Sequence, residues 1–132
     1  MLTDSKKYIN YSRQSISDED KEAVLNILNS EFLTQGPVVP EFEKALIKVV
    51  GAKYGVAVNS ATSALHIACL ALGVGPGDRV WTSPNTFVAS ANCARFCGAD
   101  VDFVDIDGST GNMCVAELEK KLMLAYKEGK LP

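Results

Sequence analysis

The segment Asn59-Ser60-Ala61-Thr62-Ser63 stands between a short apolar run and a helical pattern, and its residue types could bind an anion. A helix begins with unpaired N–H groups and a partial positive charge, which together favour phosphate. Thr62 and Ser63 would add hydroxyl donors, while Ala61 leaves room for a ligand to approach. Ser60 would equally serve as an ordinary helix N-cap. The residues alone therefore leave anion binding and simple capping as equal alternatives.

Two further segments, residues 83–87 and 105–107, follow predicted strands. They should lie at the same edge of the sheet, where ligands bind in open α/β folds. In the first, the ring of Phe87 could stack on a flat cofactor, although its spacing alone favours a place in the core. In the second, Asp105 and Asp107 do not fit a calcium loop, because its sixth and twelfth positions would be Thr110 and Ala116. We interpret these two aspartates as polar residues of a strand end and a turn.

The thiols and the single histidine do not form a metal-site pattern. No pair of cysteines has the CxxC spacing, and structural zinc sites need four closely spaced cysteine or histidine ligands. His66 lies one turn into a predicted helix and is expected to pack or hydrogen-bond rather than to catalyse. We predict no metal and expect small, buried, reduced thiols at all four cysteines: Cys69, Cys93, Cys97 and Cys114.

Helical patterns dominate the first part of the chain, about residues 1–51. Ser17 offers an N-cap hydroxyl, and three acidic residues follow it where the helix dipole favours negative charge. A second helix is predicted to begin at Pro40, a residue that suits the first helical position, and to end at Gly51. Residues 31–39 between the two helices are predicted to form a loop.

Strands and helices alternate in the rest of the chain, about residues 52–132. The patterns predict strands at 54–58, 79–82 and 101–105, and helices at 61–72, 86–97 and 115–127. Such alternation is typical of βαβ units, so we predict an α/β fold with a mostly parallel sheet and helices on both faces. Because sheets typically have about five or six strands, the sheet is expected to be incomplete within this single domain.

Charge and hydropathy exclude several classes of function. The 132 residues carry a formal net charge of -3 and no basic run longer than two residues, so phosphate neutralisation on nucleic acid is not expected. No apolar run approaches the roughly 20 residues that a membrane span needs, and the polar N-terminus has no signal-peptide pattern. We therefore expect a cytoplasmic protein that binds neither nucleic acid nor a membrane.

Five motifs follow one another along the chain: YSRQSI at 11–16, FLTQGP at 32–37, NSATSAL at 59–65, PNTF at 84–87 and FVDID at 103–107. Their order and spacing resemble the DegT family of sugar aminotransferases that depend on pyridoxal 5'-phosphate (PLP). The resemblance spans nearly all of the chain, and the SATSAL and LTQGP stretches are specific to the family. Within it, the chain resembles the transaminases of pseudaminic acid biosynthesis. The resemblance implies that the chain is the N-terminal part of the large domain of a fold type I PLP-dependent transferase.

The resemblance also implies roles for individual residues. Ala61, Thr62 and Ser63 would hold the phosphate of PLP, and Phe87 would stack on its pyridine ring. The lysine that bonds covalently to the cofactor in the family corresponds to no lysine of this chain, so no catalytic residue is assigned within it. Six residues would lie near a sugar nucleotide: Tyr11, Glu31, Phe32, Leu33, Thr34 and Ala61.

The implied reaction moves an amino group from glutamate to C4 of a UDP-linked 4-keto-6-deoxy sugar for bacterial surface glycans. The implied assembly is a homodimer with active sites at the subunit interface. On this interpretation the 132 residues are the N-terminal segment of a longer enzyme and are inactive alone. Two alternatives stay open: a PLP-dependent sugar dehydratase of the same family, and a non-catalytic module that binds a phosphate ligand or assembles with another subunit.

Overall fold

The computed structural model describes residues 10–132, so the expectations for the first nine residues lie outside it. The chain divides into two compact units between Ala57 and Val58. In the part that the structure describes, no helix is long and apolar enough to cross a membrane. The first unit contains helices α1 (Asp18–Leu28) and α2 (Val38–Val50), and the second contains α3 (Ala61–Ala71), β1 (Arg79–Thr82), α4 (Ala89–Phe96), β2 (Asp100–Phe103) and α5 (Val115–Glu128).

Helix α1 begins with a capping box, which confirms the N-cap predicted at Ser17. The Ser17 hydroxyl accepts a hydrogen bond from the Asp20 backbone N–H at 3.2 Å. The Asp20 carboxylate in turn accepts from the Ser17 backbone N–H at 2.8 Å. These bonds satisfy two N–H groups that the helix itself cannot, and the bond from the Ser17 backbone lowers the pKa of the Asp20 carboxyl.

Helix α2 begins at Val38, two residues before the predicted start at Pro40. Pro40 therefore lies inside the first turn, where its missing N–H costs nothing because that group would have no partner in the helix. Gly51 ends the helix as predicted, with a left-handed φ of 67° that glycine adopts without strain.

The strand predicted at residues 54–58 is wrong, because these residues have no regular secondary structure. Tyr54 and Val56 are each 77% exposed rather than buried. The Ala57 backbone N–H donates to the Glu43 carboxylate at 2.8 Å instead of to a neighbouring strand. A strand exists only when another strand accepts and donates its backbone hydrogen bonds, and no described residue does so here.

The other two predicted strands form a parallel pair. Strand β1 matches its predicted range, while β2 begins at Asp100 and ends at Phe103, so that Asp105 lies beyond it. The register joins Arg79 to Asp100 and Thr82 to Phe103. The second of the two βαβ units predicted from the alternating pattern is therefore present, with α4 between its strands. The first is absent, because residues 54–58 do not form a strand.

Helices α3 and α5 match their predicted ranges to within one residue, but α4 begins at Ala89, three residues after the predicted start. The backbone N–H groups of Ser90 and Ala91 bond to Phe87 and Val88, three residues back, at 3.0 and 3.1 Å. This tighter turn precedes the α-helix, so Thr86 and Phe87 belong to the loop after β1.

Helix α4 is the centre of packing in the second unit, since it contacts α3 and both strands. Its buried face consists of small side chains, and Ala94 at its middle is completely inaccessible. Val104, directly after β2, is the largest fully buried side chain and is 1% exposed. Among residues 10–132, the buried apolar side chains all belong to this unit: Ala89, Cys93, Ala94, Ala99, Val104 and Ala125.

The α3–α4 contact brings together three thiols, from Cys69, Cys93 and Cys97. Burial raises the pKa of the Cys69 thiol to about 11, and hydrogen bonding with Cys93 adds to the effect. In the same contact the rings of His66 and Phe96 lie 5.4 Å apart, tilted by 59°. The packing role predicted for His66 is confirmed.

We expect Val104→Ala to lower the free energy of unfolding by about 2 kcal/mol, because it removes buried apolar surface and leaves a cavity. Val115→Ala is the matched control: Val115 is 77% exposed, and its loss should change stability by less than about 0.5 kcal/mol. Urea denaturation followed by circular dichroism measures both values. Equal losses in the two variants would contradict the assignment of Val104 to the core.

The raised pKa of Cys69 predicts slow alkylation. At neutral pH the thiolate fraction of Cys69 should be about a hundredfold lower than for an ordinary thiol, so iodoacetamide should label it about a hundredfold more slowly than in the denatured chain. Because the folded-state pKa is the higher one, the contribution of this thiol to stability should be complete below the ordinary thiol pKa and be lost as pH rises to about 11. Peptide-resolved mass spectrometry measures the labelling, and equal rates in the folded and denatured chains would refute the raised pKa of Cys69.

Candidate cofactor site

The N-terminus of α3 both has a capping residue and retains unpaired donors. Ser60 adopts an extended conformation, and its hydroxyl accepts from the Ser63 backbone N–H at 3.2 Å. The first helical hydrogen bond runs from the Ala64 N–H to the Ser60 carbonyl at 3.1 Å. The N–H groups of Ala61 and Thr62 have no acceptor among residues 10–132. Capping and anion binding are therefore compatible at this helix end.

The hydroxyls of Thr62 and Ser63 differ in their hydrogen bonding. The Ser63 hydroxyl donates to the Asn59 side-chain oxygen at 2.7 Å and lies 3.0 Å from the Ser60 hydroxyl. The Thr62 hydroxyl makes no hydrogen bond within the described part of the chain, although its residue is half-buried. Sequence reasoning missed the contribution of Asn59, for which the signal was a polar amide directly before the N-cap.

These groups fit a phosphate. The two N–H groups without acceptors and the Thr62 hydroxyl are hydrogen-bond donors at the positive end of an 11-residue helix. Ala61 is exposed and carries only a methyl group, so a ligand can approach the backbone closely. Hydrogen bonds from such donors to an anion are shorter and stronger than those between neutral groups.

Phe87 lies in the loop that follows β1. Its ring is 74% exposed, so the alternative place in the core is wrong. The next turn of chain is held by the hydroxyls of Thr86 and Ser90, which lie 3.0 Å apart. An exposed aromatic face in a fixed loop can stack on a flat ring, which is the role that the resemblance implies.

The residues predicted to lie near the sugar nucleotide belong to the first unit, apart from Ala61. Tyr11 precedes α1, and its side chain is fully exposed. Residues 31–34 form a loop after α1, as predicted, in which Phe32 and Leu33 are 57% and 64% exposed. The Ser30 hydroxyl contacts the Phe32 carbonyl at 3.2 Å and so holds the start of this loop. Their role towards a sugar nucleotide stays a prediction.

The interpretation of the aspartates as turn and strand-end residues is confirmed. The Asp107 carboxylate accepts from the backbone N–H groups of Ser109 and Thr110 at 2.8 and 3.0 Å, and the bond from the Ser109 hydroxyl lowers the pKa of Asp107. The Asp105 carboxylate accepts from the backbone N–H of Ile106 at 2.8 Å. Across residues 10–132, no group of three or more histidine, cysteine or acidic side chains could hold a metal ion.

Comparison with known proteins identifies one aminotransferase family. The sequence profile of the DegT/DnrJ/EryC1/StrS aminotransferase family matches residues 14–125. Over 115 residues the chain is 45% identical to the UDP-4-amino-4,6-dideoxy-N-acetyl-beta-L-altrosamine transaminase of Campylobacter jejuni, strain 81-176. That match covers 87% of this chain and 30% of the relative.

Solved structures share the fold. The Streptococcus pneumoniae protein Spr1654 in its PLP-form superposes with a TM-score of 0.81 at 34% identity, over 85% of this chain and 29% of that one. Helicobacter pylori PseC, an aminotransferase involved in the biosynthesis of pseudoaminic acid, gives 0.78 at 39% identity, over 84% and 30%. The chain therefore spans about 30% of the length of the relatives it matches.

These similarities confirm the sequence predictions at the level of family and fold. The α/β arrangement is part of the large domain of a fold type I PLP-dependent transferase. PLP is the cofactor of the family. With 112 of its residues (14–125) matched by the profile, the chain belongs to the DegT/DnrJ/EryC1/StrS aminotransferase family.

Proposed function

We propose that the complete protein containing this chain transfers an amino group from glutamate to C4 of a UDP-linked 4-keto-6-deoxy sugar. The product would enter surface-glycan biosynthesis of the pseudaminic acid type in the cytoplasm. The observation that carries the proposal is the N-terminus of α3, where two N–H groups and the Thr62 hydroxyl stand without acceptors among the described residues. The 45% identity to a transaminase of a UDP-linked sugar supports the substrate class.

The phosphate of PLP would accept hydrogen bonds from the N–H groups of Ala61 and Thr62 and from the Thr62 hydroxyl. Ser63 would contribute by turning its hydroxyl from Asn59, now 2.7 Å away, to a phosphate oxygen. The exchange is favourable because a hydrogen bond to a phosphate anion is stronger than one to a neutral amide. The helix dipole adds a further attraction at this position.

PLP supplies the electron sink that permits exchange of an amino group. The chain's part is to bind and orient that group: Phe87 would lie against one face of the pyridine ring and exclude water from it. The lysine that bonds to the cofactor would come from outside residues 1–132.

The sugar nucleotide would contact Tyr11, Ala61 and the loop of Glu31, Phe32, Leu33 and Thr34. In this loop the exposed Phe32 and Leu33 offer apolar surface, which supports a place against a substrate or a second subunit. We propose that the complete protein is a homodimer with its active sites at the subunit interface.

The reaction assay tests the function directly. The complete protein, loaded with PLP, should convert a UDP-linked 4-keto-6-deoxy-N-acetylhexosamine to its 4-amino product only when glutamate is present. Mass spectrometry of the sugar nucleotide measures the product. A glutamate-independent loss of water would instead identify the dehydratase alternative, and tight ligand binding without turnover would favour the non-catalytic module.

Removal of the free hydroxyl tests the phosphate site. Thr62→Val should raise the dissociation constant for PLP by roughly tenfold to a hundredfold, the value of one hydrogen bond to a charged group. Thr62→Ser, which keeps the hydroxyl, should bind PLP within about threefold of the wild-type protein. Fluorescence titration with PLP and with pyridoxal separates the causes, because pyridoxal lacks the phosphate and its affinity should be unchanged. A parallel loss of pyridoxal affinity would refute the assignment.

A further inference from the structure

Residues 105–114 form a compact hairpin after β2. The backbone N–H of Cys114 donates to the Asp105 carbonyl, and that of Asp107 donates to the Asn112 carbonyl, both at 2.8 Å. Ile106 and Met113 pair between these bonds in an antiparallel bridge. The strand predictions contained no sign of this hairpin.

The tip of the hairpin is fixed by the Asp107 carboxylate, which accepts hydrogen bonds from Ser109 and Thr110. The backbone N–H of Gly111 also returns to the Asp107 carbonyl at 2.8 Å. Gly111 has a φ of 72°, which glycine adopts without strain. The position of the Gly111 carbonyl is therefore set by the tip of the hairpin.

Asn85 joins this hairpin to the loop after β1. Its side-chain NH₂ group donates to the Gly111 carbonyl at 3.3 Å, across 26 residues of sequence. A Cβ atom at Gly111 would lie 3.5 Å from the same nitrogen, so the two residues are in contact. The Asn85 backbone N–H also donates to the Ser83 hydroxyl at 3.3 Å.

The other side of the loop is held by the helix that follows it. The hydroxyls of Thr86 and Ser90 lie 3.0 Å apart, and the Ser90 N–H donates to the Phe87 carbonyl at 3.0 Å. The backbone on both sides of Phe87 is thus held by hydrogen bonds, while its ring is 74% exposed. An exposed ring has few packing contacts of its own, so these bonds decide where it lies.

We propose that Asn85 is a positioning residue, which holds the Phe87 ring at the angle needed to stack on the cofactor by anchoring its loop to the Gly111 carbonyl. This inference rests on the proposed function. The bond is solvent-exposed and 3.3 Å long, so it contributes little to global stability. The bond mainly determines the orientation of the loop after β1, which carries Phe87.

The test uses the complete PLP-loaded protein with Asn85→Leu, which keeps the side-chain size and removes the donor. The dissociation constant for PLP should rise about threefold to tenfold, as expected for one neutral hydrogen bond. The visible circular dichroism of the bound cofactor should weaken, because its intensity reports how rigidly the ring is held. Asn85→Gln, which restores an amide donor, should recover part of both signals. If Asn85→Leu does not fold, Asn85→Ser takes its place, with the same expectation.

Asn112→Leu is the matched control. Asn112 lies in the hairpin next to Gly111 and is exposed, and its side chain makes no hydrogen bond within the described part of the chain. Its substitution should leave the PLP affinity and the cofactor signal unchanged. An equal effect of the two substitutions would overturn the proposal, because it would indicate a general loss of hairpin structure.

A double-mutant cycle with Phe87→Ala decides whether Asn85 acts through the ring. In the Phe87→Ala protein, Asn85→Leu should change the PLP dissociation constant by less than about twofold, since no ring remains to be positioned. The same loss with and without Phe87 would overturn the inference while leaving the proposed function intact. Failure of the wild-type protein to bind PLP would overturn the proposed function and the inference together.

Discussion

The close packing of α4 against α3 and the two parallel strands is the constraint on which the second unit depends. It is possible because α4 presents Ala89, Cys93 and Ala94, whose small side chains are buried without forcing the backbones apart. A larger residue at Ala94, which is completely inaccessible, would have no space. The same packing fixes α3, and with it the helix end at which the Ala61 and Thr62 N–H groups have no acceptor among residues 10–132.

The polar contacts of the second unit are concentrated in the segments that follow its strands. After β1, Asn85 and Thr86 anchor their loop in two directions; after β2, Asp107 holds the tip of the hairpin. Such segments expose side chains to ligands while a packed scaffold limits their motion. At the start of α3, Ser60 satisfies one N–H group, while two others have no acceptor among residues 10–132. A capped helix can thus remain an anion site.

Features that depend on interactions between residues close in sequence were predicted correctly more often than those that depend on distant residues. Ser17 and Gly51 were placed correctly because a helix cap involves residues only a few positions apart. Strand β1 was also correct, since its apolar pattern found a partner in β2. Residues 54–58, which are more apolar than β1, did not form a strand, because none of residues 10–132 pairs with them. An apolar pattern favours strand formation, but a strand forms only where its backbone finds a partner strand.

The sequence by itself determined the helix ends, the βαβ alternation, the small-residue and hydroxyl segment at 59–63, and the family motifs. Only the tertiary structure decided that Phe87 is exposed and that Asn85 reaches Gly111. The contact between Asn85 and Gly111 joins residues 26 positions apart, and no local propensity encodes such a pairing. It forms because two parallel strands deliver the segments at their carboxyl ends to the same edge of the sheet.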